Sequence, residues 1–175
     1  MPNFTGGENM LMTALLAGQK MEQARQMVGD LMKKIGLPPR AFTVDISEIS
    51  GGQRQRLAFI RAIVSNYSVL FGDEPTGNLD ANTARQCFDV LQEAINEQGK
   101  TAIIVSHDLA LATEYADLII PIKVKVIAAD TLQGFTDTDS RLYRNKDGVL
   151  VKEGGIAVSD PADYLQSEIF QPLPE

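Results

Sequence analysis

The 175-residue sequence predicts an α/β fold with a helical amino-terminal part and a β-hairpin and helix towards the carboxyl end. From Ser47 onward, short apolar runs rich in β-branched residues alternate with amphipathic helical patterns, which is the texture of a parallel sheet flanked by helices. Before Ser47 the pattern is helical, and beyond Lys123 it changes to strand pairs. Hydrophobic residues make up 44% of the chain and 23 acidic residues face 16 basic ones, a net charge of −7, so the balance is that of a globular protein rather than a disordered one.

Each element has a local cause. Thr5-Gly-Gly-Glu8 has capping-box spacing, and Met10, Leu11, Ala14 and Leu15 follow at helical intervals up to Gly18. A second helix is expected from about Lys20 to Ile35, stopped by Gly36 and kept from resuming by Pro38-Pro39. All six methionines lie in this opening segment, as ordinary core filling or as an adaptable docking surface. Ser68–Gly72, Thr101–Ser106 and Asp117–Pro121 read as buried strands, with helices at Gln53–Ser65, Ala81–Gln98 and Leu109–Tyr115. Further on, Lys123–Ala128 reads as a strand, Arg141–Lys152 as a hairpin turning at Asp147-Gly148, and Asp160–Glu168 as a short helix.

Composition excludes several function classes. An acidic chain argues against a general nucleic-acid binder, whose affinity would rest on a basic face. No apolar run approaches the ~18 residues of a membrane span, and the start lacks a basic segment followed by an apolar one, so a soluble, non-secreted chain is expected. A chain of this length buries roughly 68–70% of its unfolded surface and needs no cross-links. Its lone cysteine, Cys87, argues against a disulfide framework or a zinc knuckle and is expected to be buried or idle.

Three places carry chemistry. Val69-Leu-Phe-Gly-Asp73-Glu74 is an apolar strand ending in two acids, at the end of a parallel strand where α/β proteins bind ligands. Asp73 suits a hydrated magnesium ion and Glu74 an attacking water, the division of labour in phosphoryl transfer; alternatively both acids cap the next turn. Ser50-Gly51-Gly52-Gln53 precedes a helix carrying Arg54, Arg56 and Arg61, either as a phosphate cradle or as a plain N-cap. His107 follows the run Ile103-Ile-Val-Ser, where a neutral imidazole would reach a terminal phosphate or the attacking water, or serve a structural role.

In this order, Ile49-Ser-Gly-Gly-Gln-Arg-Gln-Arg-Leu-Ala-Phe-Ile-Arg-Ala62, Leu70-Phe-Gly-Asp-Glu-Pro-Thr-Gly-Asn-Leu-Asp80 and Val105-Ser-His-Asp108 closely resemble the ATP-binding-cassette (ABC) ATPases. The wording Asp73–Asp80 is most like the branch serving lipoprotein release, macrolide export and cell-division complexes, and the resemblance spans about residues 4 to 122. It implies an incomplete P-loop-NTPase-like parallel sheet in three parts: a helical subdomain at 1–45, the carboxyl half of the ATPase core at 46–122, and an extension at 123–175. By the same resemblance Ser50–Gln53 is the signature motif, which grips ATP in trans, Asp73 and Glu74 are the Walker B pair, Asn78–Asp80 is the D-loop and His107 is the switch histidine. Ile49 replaces the Leu usual at the signature's first position, a size-conserving change.

The family also uses a Gly-rich Walker A loop after a strand and before a helix. Ala94-Ile-Asn-Glu-Gln-Gly99-Lys100-Thr101 nearly has the spacing but lies between a helix and a following strand, the wrong order to aim a helix N-terminus at phosphate. The resemblance therefore implies ATP and Mg2+ as ligands, with doubtful binding by these residues alone. It implies as partners the transporter's membrane subunits and a second ATPase subunit or another copy of the chain, at the inner face of the cell membrane, and no nucleic acid. A chain without Walker A would leave two sheet edges open, and Lys123–Ala128 or the hairpin is expected to fill that gap. Two other readings stand beside it, a catalytically silent docking module and a truncated reading frame.

Overall fold

The computed structural model describes residues 4–128, 131–136, 141–144, 146–152 and 155–170, with the backbone alone at 123–128, 131–136 and 168–170. The chain divides into two compact units, Met1–Ser106 and His107–Glu175.

The first unit opens on α1 (Gly6–Leu16), α2 (Met21–Lys34) and α3 (Arg40–Thr43). The capping box at Thr5 forms as its spacing requires: the Thr5 hydroxyl accepts from the Glu8 amide at 3.2 Å and the Glu8 carboxylate accepts from the Thr5 amide at 2.7 Å. Gly36, at φ 61, ends the second helix in the left-handed conformation open to glycine. Met10, Ala14, Val28 and Ile35 are fully buried with Leu57 and Ile60, so α1 and α2 pack on the next helix, α4 (Gly51–Val64). Gly6 permits that packing, because a Cβ there would lie 1.9 Å from the Ala41 carbonyl oxygen of α3. Of the methionines, Met10 and Met32 are core residues while Met21 is exposed. The short α3 and a 3-10 turn at Ile46–Glu48 have no strong sequence signal.

After α4 come β1 (Val69–Asp73), α5 (Ala81–Gln98) and β2 (Thr101–Val105). β1 and β2 pair in parallel, Phe71 beside Ile103 and Asp73 beside Val105. Gly72 allows the close pairing, since a Cβ there would meet the Ile104 side chain at 2.8 Å. The fold is thus α/β, with helices and a parallel sheet. The two strands are not buried on both faces as their composition predicts; Phe71 is 74% exposed. The reason is that the face bearing it has no cover within this unit.

The second unit holds α6 (Leu109–Tyr115), β3 (Leu118–Ile119), β4 (Ile122–Ala128), β5 (Thr131–Thr136), β6 (Leu142–Arg144), β7 (Leu150–Val151) and α7 (Pro161–Phe170). Its core is Leu142, Leu150 and Leu165, with Leu109, Ile119, Val158 and Tyr164 packed around them. The hairpin turns at Asp147-Gly148, with Gly148 at φ 78. Arg144 ties it to the end of α6 by donating to the Thr113 and Ala116 carbonyls at 2.7 and 3.0 Å.

Two expectations are corrected here. Asp117–Pro121 is not a buried parallel strand: only Leu118–Ile119 is extended, it pairs antiparallel with β6, and Leu118 is about half exposed. Lys123–Ala128 does not extend the parallel sheet, because β4 pairs with β5 in a sheet of its own. For β4, an antiparallel partner as near in sequence as β5 closes at a smaller entropic cost than a crossover connection.

Candidate functional site

Ser50-Gly-Gly-Gln53 forms the first turn of α4. The Ser50 hydroxyl accepts from the Gln53 amide at 3.3 Å, and the Gln53 side-chain oxygen accepts from the Ser50 amide at 3.0 Å, so the turn is a second capping box. The Gly51 and Gly52 amides make no hydrogen bond among the described residues, and Gly51 is exposed with open space where a side chain would stand. The N-cap reading is realised: the cap satisfies two donors, and the two glycine amides stand at the positive end of the helix.

The arginines that follow serve the backbone. Arg54 donates to the Ile49 carbonyl at 2.6 Å. Arg56 donates to the Ile35 and Gly36 carbonyls at 3.1 and 2.7 Å and to Gly52 at 3.4 Å, bracing the signature turn on the end of α2. Sequence reasoning placed Arg56 on this helix without finding that role, which depends on a segment 20 residues away.

At the end of β1, Asp73 is exposed and Glu74 half-buried. Glu74 has φ 44, the one left-handed non-glycine residue described. Three hydrogen bonds hold it there: its amide donates to Val105 at 2.9 Å, and its carbonyl accepts from Gly77 at 3.2 Å and from the Gln55 side chain at 3.1 Å. Gln55 and Glu74 thus link the signature helix to the acid pair, a contact with no local sequence signal. Between α4 and β1 lies a groove of about 260 Å³, walled by Ala58, Phe59, Ala62 and Leu70 and ending at Asp73 and Glu74.

Asp80 caps α5, accepting from the Thr83 amide at 3.0 Å and the Thr83 hydroxyl at 2.7 Å. The hydroxyl first, then the amide, holds its carboxyl below the usual value. Gly52 approaches the same loop; a Cβ on it would lie 3.5 Å from the Leu79 side chain. Signature turn, acid pair and Asp80 loop therefore adjoin in one unit, while His107, exposed, begins the next. The Gly99-Lys100 decoy resolves as expected: Gly99 at φ 61 ends α5, and the Lys100 ammonium lies 4.0 Å over the Tyr67 ring and donates to the Ser65 carbonyl at 3.2 Å.

A capped Ser-Gly-Gly-Gln helix start and a parallel strand running into Asp73-Glu74 thus lie in one folded unit. Residues 1–77 match the family model described as ABC transporter. The lipoprotein-releasing system ATP-binding protein LolD of Legionella pneumophila (strain Lens) is 40% identical over 112 residues, 64% of this chain and 49% of that protein. LolD of Syntrophus aciditrophicus (strain SB) is 41% identical over 112 residues, 64% of this chain and 50% of that protein. Among solved structures, the dimeric bacterial ABC transporter cassette MJ0796 superposes with a TM-score of 0.60 at 30% identity, over 69% of this chain and 53% of that one. The chain is therefore similar to ATP-binding cassettes of ABC transporters, and it spans about half the length of the relatives it matches.

Proposed function

We propose that the chain serves as an ATP-binding subunit of an ABC transporter, or the larger part of one, coupling ATP binding and hydrolysis to transport. The carrying observation is that Gln55 joins the signature turn to Glu74 within one folded unit, so the cassette's chemistry-bearing segments are assembled rather than merely present. In this reading residues 1–45 are the helical subdomain, 46–122 the carboxyl half of the core and 123–175 an extension.

The roles follow from position. Ser50, Gly51, Gly52 and Gln53 present first-turn amides and the helix N-terminus to the phosphates of an ATP held by a facing subunit. Glu74, at the carboxyl end of β1, takes the proton of the attacking water. Asp80 shapes the loop that meets the facing subunit, and His107 donates to the terminal phosphate.

A magnesium ion, when bound, neutralises charge developing on the phosphates. Among the described residues no cluster of three or more acidic, histidine or cysteine ligands forms. Magnesium takes one or two carboxylates and completes its shell with water and phosphate oxygens; exposed Asp73, acting through a water, is the ligand proposed. The branch resemblance supports membrane subunits as partners and a peripheral place at the cytoplasmic face of the membrane, and the two relatives are named as ATP-binding proteins of a lipoprotein-releasing system. No described helix is long and apolar enough to cross a bilayer.

A silent docking module is the second reading. Adding a full-length cassette to the purified chain separates the two. The ATPase reading expects stimulated hydrolysis that falls at least about tenfold with Ser50→Ala and also with Ser50→Asn, which keeps a capping side chain. No stimulation, or stimulation indifferent to both changes, selects the docking module.

A further inference from the structure

Glu74 is strained on two counts. Its φ of 44 lies in the left-handed region that residues with a side chain avoid, and it stands directly before Pro75, whose ring pushes the preceding residue towards extended backbone. Such a conformation persists only where its surroundings over-determine it. The turn supplies one bond of its own, from the Gly77 amide to the Glu74 carbonyl at 3.2 Å. Two more come from other elements: the Glu74 amide donates to Val105 of β2 at 2.9 Å, and the Gln55 side chain of α4 donates to the Glu74 carbonyl at 3.1 Å. These two hold the peptides on either side of the Glu74 Cα, and so fix the torsions between them. The carboxylate follows the turn, since a Cβ on Gly77 would lie 3.6 Å from the Glu74 Cβ and 3.7 Å from Glu74 Oε2.

Stability alone does not explain a glutamine at position 55. The Glu74 carbonyl already accepts from Gly77, so the bond from Gln55 rescues no orphaned acceptor. It also buries Gln55 Oε1 with no hydrogen-bond partner among the described residues, which offsets the gain. An apolar side chain of the same length would fill the same place on the wall of the α4–β1 groove without that burden. What it would lack is a donor aimed at the strained peptide.

We infer that Gln55 is a positioning residue for Glu74: its amide latches the Glu74–Pro75 peptide in the strained conformation. Without the latch, Glu74 relaxes towards the extended backbone that suits a residue before proline, and its carboxylate leaves its place against Gly77. The consequence for hydrolysis rests on the reading of Glu74 as general base; the latch does not.

The test replaces Gln55 by Met, which keeps the length and loses the donor, and by Glu, which keeps the shape and at neutral pH offers no N–H. Filling of the groove wall survives both changes. The first readout is NMR of the purified chain: the three-bond coupling between the amide and α protons of Glu74, which reports φ, and exchange of the Gly77 amide. In Gln55→Met and Gln55→Glu the coupling is expected to move towards that of extended backbone, and the Gly77 amide to exchange at least about tenfold faster. A residue that only filled space would leave both where they are. The second readout is the part of the hydrolysis, with a full-length cassette added, that Glu74→Gln abolishes. In Gln55→Met its kcat falls at least about tenfold with KM for ATP unchanged, because a displaced base weakens the transition state and not substrate binding. Coupling and exchange unmoved in both variants would overturn the inference, and so would moved spectra with that kcat intact. If Glu74→Gln abolishes nothing, the general-base reading fails by itself and the spectra still decide the latch.

Discussion

The side-chain amide of Gln55 donates to the main-chain carbonyl of Glu74 at 3.1 Å, across 19 residues of sequence. This single contact fastens the signature helix to the proposed general base. The other end of the amide, Gln55 Oε1, is buried with no hydrogen-bond partner among the described residues. Replacing Gln55 by Ala removes the donor to Glu74, and the expected cost is about 1 kcal/mol. Urea denaturation of the two proteins measures it; equal midpoints and slopes would show that the bond contributes nothing net.

Glu74 adopts a backbone conformation that costs a side-chain-bearing residue about 1 kcal/mol or more, and asparagine tolerates it better than glutamate. Glu74→Asn is therefore expected to hold or raise the melting temperature while abolishing any hydrolysis that depends on the carboxylate. A clear fall in melting temperature would place the stabilising role in the Glu74 side chain instead.

Arg56 reaches three carbonyls, those of Ile35, Gly36 and Gly52. Charged hydrogen bonds of this sort contribute about 1.5–3 kcal/mol, so Arg56→Ala is expected to destabilise the chain by about 2–3 kcal/mol. Arg56→Lys should recover only part, because an ammonium lacks the planar fork that spans three acceptors. Full recovery by lysine in the same denaturation series would reduce the role of Arg56 to its charge.

Cys87 is fully buried in α5, and burial pushes its thiol from 9.0 up to about 11, against a smaller opposing pull from Arg56. The folded value lies above the unfolded one, so this group's stability is intact below pH 9.0 and is lost as pH rises towards about 11. Cys87→Ala should flatten that alkaline decline. At neutral pH the native thiol should resist alkylation until denaturant is added, and rapid native labelling would contradict the burial.

Helix boundaries were largely legible because their causes are local. Thr5 with Glu8, Ser50 with Gln53, Asp80 with Thr83 and Asp108 with Leu111 each complete a cap within three residues. The helices Ala81–Gln98 and Leu109–Tyr115 accordingly match their sequence patterns end to end. Strand partners were less legible. A short apolar run such as Leu118–Ile119 carries no mark of which strand it will join, and β6 reaches it by an antiparallel route that its composition does not encode.

By itself the sequence determined the longer helices, the caps at Thr5 and Ser50, the turn at Gly148 and the order of the motif residues, since each depends on neighbours a few residues away. Tertiary structure alone decided that Gln55 holds Glu74, that Arg56 braces the signature turn against α2, and that Phe71 stands open on an uncovered face. Those outcomes depend on which distant segments meet. Burial and hydrogen-bond partners belong to the assembled surface rather than to any stretch of chain.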